Sequence, residues 1–247
     1  MTDKIRELIT AFFISMMFLA HSQLVFAEAG IQINSTAEGS DGSFLSKTTV
    51  KYIITDPAGR RLGKDPRNNQ KYNEFSGGYG TTAIDDQYSV EAIFPPINGT
   101  YTIEVIGSSL MMFSLDISIY REIAGEGLPS FEIRGVTDKG ITSKFQMTYS
   151  SDPNITPKVE KVVTISDAKN DVNIAYNLGL ITNAGIEQSL IAKLNAAEKA
   201  INKGKKQTAE NQLNAFINEV NAQKDKHIKE NAVKILIEDA EYLINHL

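Results

Sequence analysis

Near Ile165 the hydrophobic period of the chain changes from two to about 3.6. A sequence with period two needs a sheet with one buried face, and a sequence with period 3.6 needs amphipathic helices. One chain carrying both in succession folds into two kinds of layer.

The period-two part runs from Glu28 to about Asp152. In 100–106, Tyr101, Ile103 and Val105 face one way, and Thr102 and Glu104 the other. In 112–120, Phe113, Leu115, Ile117 and Ile119 share a face opposite Ser114, Asp116 and Ser118. Further strand-like runs lie at 51–54, 88–94 and 145–149. Turn clusters separate them at Asp56-Pro57-Ala58-Gly59, Asn98-Gly99, Gly107-Ser108-Ser109 and Asp138-Lys139-Gly140. Half-buried antiparallel strands with such turns predict a β-sandwich of seven or so strands over residues 28–150.

Residues 151–163 read as a linker. Pro153 and Pro157 break any helix and favour an extended path, so each half is expected to fold alone with few contacts between them.

Residues 164–247 read as a small helical bundle. Ser166 fits an N-cap and Gly179 a C′ position; Asn183 fits the next N-cap. Three further stripes follow. Ile186, Leu190, Leu194, Ala197 and Ile201 form one, ending before Gly204. Ala209, Leu213, Phe216, Ile217 and Val220 form the next. Ile228, Ala232, Ile235, Leu236, Ala240, Leu243 and Ile244 form the last. The fold class is therefore all-β plus all-α, an antiparallel sandwich followed by a bundle.

Residues 1–27 have the order of a secretory signal peptide. Lys4 and Arg6 precede an uncharged run from Leu8 to Ala20, and Val25-Phe26-Ala27 places small residues for cleavage after Ala27. Asp3 and Glu7 offset the two cations, which keeps a retained N-terminal anchor as the alternative. The run of about 13 residues is short of the ~20 a membrane span needs, and no later stretch spans a bilayer. The expected location is secreted or periplasmic.

Composition narrows the chemistry. Cysteine is absent, which excludes disulfides and thiolate zinc sites. Tryptophan is absent too, and there are 3 histidines. With 25 basic and 30 acidic side chains the net charge is −5, which argues against nucleic acid as a partner. His227 and His246 lack metal-ligand spacing and read as surface residues. Asp56, Asp65, Glu74 and the adjacent Asp85-Asp86 fit either turn acids bonded to backbone or oxygen ligands for Ca²⁺. The same carboxylates are the basis of an alternative reading, an accessory or small hydrolase acting on extracellular polymers. No cofactor is expected.

The most distinctive stretch is 60–79. Arg60, Arg61, Lys64, Arg67 and Lys71 precede or accompany Tyr72, Phe75 and Tyr79 around Gly77-Gly78. It reads as a long loop, either solvated with its rings tucked onto the sandwich or a contact surface. As a contact surface, its binding residues are Arg60, Arg61, Arg67, Tyr72 and Tyr79, and its partner an extracellular protein or glycan. Lys203, Lys205 and Lys206 form a second basic turn that suits a helix C-terminus.

The C-terminal segment resembles the FIMAH domain. The match is carried by Leu190-Ile191-Ala192-Lys193-Leu194, Ala196-Ala197-Glu198-Lys199-Ala200-Ile201 and Lys203-Gly204. It continues through Ala209, Leu213, Ala215-Phe216-Ile217, Val220, Ala232, Leu236-Ile237, Ala240 and Leu243-Ile244. The resemblance covers about residues 165–247. It implies a small helical module at the C-terminal end of an exported bacterial protein, and transfers no catalytic residue. In the β part, Phe94-Pro95-Pro96-Ile97-Asn98-Gly99-Thr100-Tyr101, followed by Phe113-Ser114-Leu115-Asp116-Ile117, is similar to the hairpin of extracellular sandwich modules such as the pre-peptidase C-terminal domain. That resemblance implies a non-catalytic appendage. Together these readings predict an exported, non-catalytic binding or structural protein.

Overall fold

The computed structural model describes residues 29–41, 43, 45, 50–75, 78–81, 88–93, 95–120 and 130–247. The proposed signal peptide, residues 1–27, and Asp85-Asp86 lie outside them.

Two antiparallel sheets form the sandwich. The first has the order β5-β6-β1-β8-β9, with β1 Gly30–Glu38, β5 Gly78–Thr81, β6 Tyr88–Ile93, β8 Met111–Tyr120 and β9 Ser130–Thr137. The second has the order β11-β10-β7-β2-β3-β4, with β2 Lys51–Thr55, β3 Arg61–Asp65, β4 Gln70–Asn73, β7 Gly99–Ile106, β10 Thr142–Tyr149 and β11 Lys158–Val162. Tyr101, Ile103, Val105, Phe113, Leu115, Ile117 and Ile119 are fully buried between the sheets, on the faces their alternation predicts. Phe113 and Phe145 meet edge-on with centroids 6.2 Å apart.

The Pro-x-x-Gly-x-Tyr segment is a tyrosine corner. The Tyr101 hydroxyl donates to the Ile97 carbonyl at 2.9 Å and accepts from the Ile97 N–H at 2.8 Å. Burial pushes its pKa up to about 12. Gly99, at φ 135°, lies against Pro57, whose ring atoms would be 2.8 Å from any Cβ placed there.

Four helices follow: α1 Ile165–Asn177, α2 Ala184–Ile201, α3 Lys206–Gln223 and α4 Glu230–Asn245. The N-cap of α1 is Thr164 rather than the expected Ser166. Thr164 and Asp167 bond reciprocally as a capping box, and Ser166 falls inside the first turn. Asn183 caps α2 through Gly185 and Ile186, as its position predicts. Gly179 and Gly204 take φ 68° and 65° just past their helices. Leu190, Leu194, Ala197, Leu213, Phe216, Val220, Leu236 and Ala240 build the bundle core. Ile201, predicted on the stripe, is exposed, and Ile228 is buried ahead of α4 rather than within it.

The expected linker is not a free tether. Its first part, 151–157, is a largely exposed turn, but residues 158–162 form β11, which pairs with β10 from Lys144↔Val162 to Thr148↔Lys158. Nor are the halves separate in packing. Met112 of β8 and Val136 of β9 belong to the same buried cluster as Val163, Leu236 and the rest of the bundle core. The helices lie against the side of the sandwich where β9 and β11 run, and this creates a junction that the sequence reading did not contain.

Candidate functional site

The stretch expected as a long loop is built of strands. β3 and β4 form a hairpin with register Leu62↔Asn73, Gly63↔Tyr72, Lys64↔Lys71 and Asp65↔Gln70. Asn69, at φ 62°, completes the turn, and the Asn68 carboxamide accepts from the Gln70 N–H. Residues 78–81 then form β5 in the other sheet. Gly63 is required at its place: at φ 118° it lies so close to β2 that a Cβ would sit 2.1 Å from the Tyr52 carbonyl oxygen. Tyr72 stands opposite it, a large ring paired with a residue that has no side chain.

The hairpin gives each predicted arginine its own carboxylate. Arg60 donates from Nε and Nη2 to Asp56 Oδ2 at 2.8 and 2.6 Å, with its guanidinium carbon 5.0 Å from the Phe75 ring centroid. Asp56, 4% exposed, also accepts from the backbone N–H groups of Ala58 and Arg60. Arg61 lies 4.0 Å over the Tyr72 ring and donates to Glu74 at 2.9 Å. Arg67 grips Asp65 with two bonds of 2.9 and 2.8 Å. The guanidinium bonds hold the Asp65 and Glu74 carboxyls below their ordinary range. Tyr79 lies in β5, and its side chain is outside the described residues.

The five cations are therefore not a free positive surface. Three are neutralised within the hairpin, and Lys64 and Lys71 face each other in register. Among the described residues Arg61 over the half-buried Tyr72 is the guanidinium–ring layer that the hairpin presents outward, while Phe75 beneath Arg60 is buried in the sandwich core. Planar cation–aromatic layers bind through stacking and directed donors more than through net charge. The carboxylates Asp56, Asp65 and Glu74, weighed above as metal or acid–base groups, are each engaged by an arginine. Among the described residues no group of three or more His, Asp or Glu side chains is arranged to hold a metal ion. His227 lies in the turn before α4 beside Thr182, and His246 stacks on Tyr242 with centroids 3.9 Å apart.

A second feature adjoins the hairpin. A cleft of about 400 Å³ opens between the second sheet and α1, lined among others by Arg67, Glu104, Lys144, Lys161, Asn170 and Asp171. Glu104 and Lys144 are cross-strand partners on β7 and β10 and pair at 3.5 Å. Of the predicted residues only Arg67 reaches this cleft.

At its base is a cluster that sequence reasoning missed. Lys161 of β11 is ion-paired to Asp171 of α1 and, at 2.6 Å, to Asp239 of α4. A signal for it existed. Asp171 sits on the stripe of Ala168, Val172 and Ala175, and Asp239 on that of Ile235, Leu236 and Leu243. An acid on an apolar stripe must meet a partner inside the protein.

Compared with known families, residues 165–245 match the model of the FIMAH domain. The match covers the four helices and not the sandwich. A search of curated proteins finds no match to the chain.

Proposed function

We propose that this chain is an exported, non-catalytic binding protein that holds an extracellular protein or glycan on the outer face of its second sheet. The observation that carries the reading is the cleft at the junction, where the arginine hairpin, the sheet and the first helix of the FIMAH-like unit meet on one surface. Clefts between units are preferred places for ligands. The lining mixes donors and acceptors of both charges, which suits a hydroxyl- and amide-rich partner better than a polyanion. Export is supported by the basic, apolar, small-residue order of residues 1–27. The FIMAH match supports it too, because the resemblance implies exported proteins.

The test is a screen of the mature protein against glycans and extracellular proteins, followed by variants. Arg67→Ala and Tyr72→Ala should each weaken binding, with little change in its salt dependence, because the arginines are already paired. Full binding by both folded variants would remove the hairpin and cleft from the site. N-terminal sequencing of the exported protein should begin at Glu28; an intact Met1 would favour a retained anchor.

A further inference from the structure

Lys161 projects from β11 between two helices. It contacts Asp171 Oδ2, and its Nζ lies 2.6 Å from Asp239 Oδ1. The three side chains are 11, 4 and 1% exposed. One cation thus faces two carboxylates. If both were ionised, the interior would hold an uncompensated negative charge, which is costly in a medium that solvates ions poorly. Neutrality requires one added proton, and Asp239 is the place for it. Its Oδ2 is buried with no hydrogen-bond partner. Burial also pushes its carboxyl well above the ordinary range, with the Asp171 charge adding to the rise and Lys161 opposing it. Nearby on α4, Glu238 is also raised by burial; Lys161 opposes that rise, Glu241 adds to it and Lys234 opposes it. Asp167 of α1 lines the adjoining cleft and is occupied in the capping box. With that proton on Asp239, the three side chains would be neutral as a whole.

We propose that Lys161 and Asp239 condense to an intramolecular amide, with Asp171 carrying the proton, so that β11 is covalently stapled to α4. A carboxylate resists attack by an amine, and a protonated carboxyl does not; this makes Asp239 the electrophile and Asp171 the base. Asp171 takes one proton from the ammonium and frees the nitrogen lone pair. That pair attacks Asp239 Cγ, and a C–N bond forms. The nitrogen gives up a second proton to the departing hydroxyl, the C–OH bond breaks, and water leaves. Three ammonium protons and one carboxylic proton become one amide proton, two in water and one on Asp171. The cluster is neutral before and after, and no oxidant, metal or cofactor is consumed.

While Asp239 is ionised, it and Asp171 outweigh the burial that disfavours the charged amine and hold Lys161 protonated above its ordinary range; a proton on Asp239 removes the larger of these two attractions and leaves that of Asp171. The first proton transfer is therefore uphill and slow. The bond needs to form once per molecule, and fixed contact between the groups supplies effective concentrations that reach ~10⁵–10⁸ M in well-oriented pairs. Lys161 and Asp171 both line the cleft, which gives the water an exit. The amide would join residues 78 positions apart in a chain that has no cysteine for a disulfide.

Peptide mapping of the folded full-length protein by mass spectrometry tests this. The expected result is loss of tryptic cleavage at Lys161 and a branched peptide containing Lys161 and Asp239, lighter by one water than the two linear peptides combined. Lys161→Arg and Asp239→Ala should abolish it. Asp171→Ala should leave both partners present and unjoined. Linear peptides cut after Lys161, with an unmodified Asp239 peptide, would overturn the proposal on the parent protein alone. Joining at the parental rate in Asp171→Ala would overturn the role given to Asp171.

Discussion

In the β3–β4 hairpin each of three arginines meets one carboxylate near the surface; at the junction one lysine meets two in the interior. The residue types are nearly the same, but the surroundings are not. Arg61 and Glu74 are 44 and 40% exposed, so water screens their attraction and salt weakens it further. Lys161, Asp171 and Asp239 are 11, 4 and 1% exposed, so each charge depends mainly on its neighbours. The Arg61–Glu74 pair shapes a surface and contributes little to stability, while Asp56 and Asp65 are buried carboxylates that depend on their arginines. The junction cluster joins two folding units and cannot lose a member cheaply.

The contrast breaks most clearly at Lys161. Lys161→Met should leave the buried Asp171 and Asp239 without their partner, ion-paired or amide-linked, and cost about 3–5 kcal/mol in urea unfolding. A cost below ~1 kcal/mol would place the cluster in water and erase the contrast. Phe216→Ala is the control of similar size within the bundle. It removes a ring that is 1% exposed and should also cost roughly 3–5 kcal/mol. Its effect should centre on α2, α3 and α4, whereas that of Lys161→Met should centre on β11, α1 and α4. Hydrogen exchange distinguishes the two patterns.

Tyr101→Phe sharpens the comparison with a neutral buried group. It removes both bonds to Ile97 and should cost about 1 kcal/mol, read as a lower urea midpoint. The smallest effect belongs to the hairpin. Because Asp65 and Glu74 have depressed pKa values, their contribution is present above the ordinary carboxylate range. It is lost as pH falls through their lowered values. Arg61→Ala should therefore change the melting temperature slightly at neutral pH and not at all in strong acid, with the difference shrinking in salt. A large, salt-insensitive loss would mean that the hairpin pair behaves like the junction.

Where each residue's surroundings follow from local pattern, the sequence was readable. Tyr101 and Phe113 alternate with polar neighbours and lie inside; Asn183 and Gly204 mark helix ends as their chemistry requires. β1 was not readable, because it is a central strand whose polar residues are buried in pairs. Thr36 and Ser114 hydroxyls meet at 2.5 Å, and Ser114 in turn donates to Glu38. The hairpin read as a loop because its strands are short and charged, and the partners that neutralise Arg60, Arg61 and Arg67 become apparent only after the chain turns. β11 was hidden by Lys161 itself. Val159 and Lys161 point the same way, and a lysine at an inward position breaks the apolar alternation that identifies a strand. The residue that ties the junction together is thus the one that made its segment look like a linker. The cleft depends on how the helices lie against the sheet, which no local pattern encodes.

Calorimetric unfolding of the full-length protein, parent beside Lys161→Met, tests directly whether the sandwich and the bundle are coupled through this junction. The parent should show one cooperative transition, and Lys161→Met a lower melting temperature with the bundle separating from the sandwich. Two independent transitions in the parent, both unmoved by the substitution, would contradict that coupling.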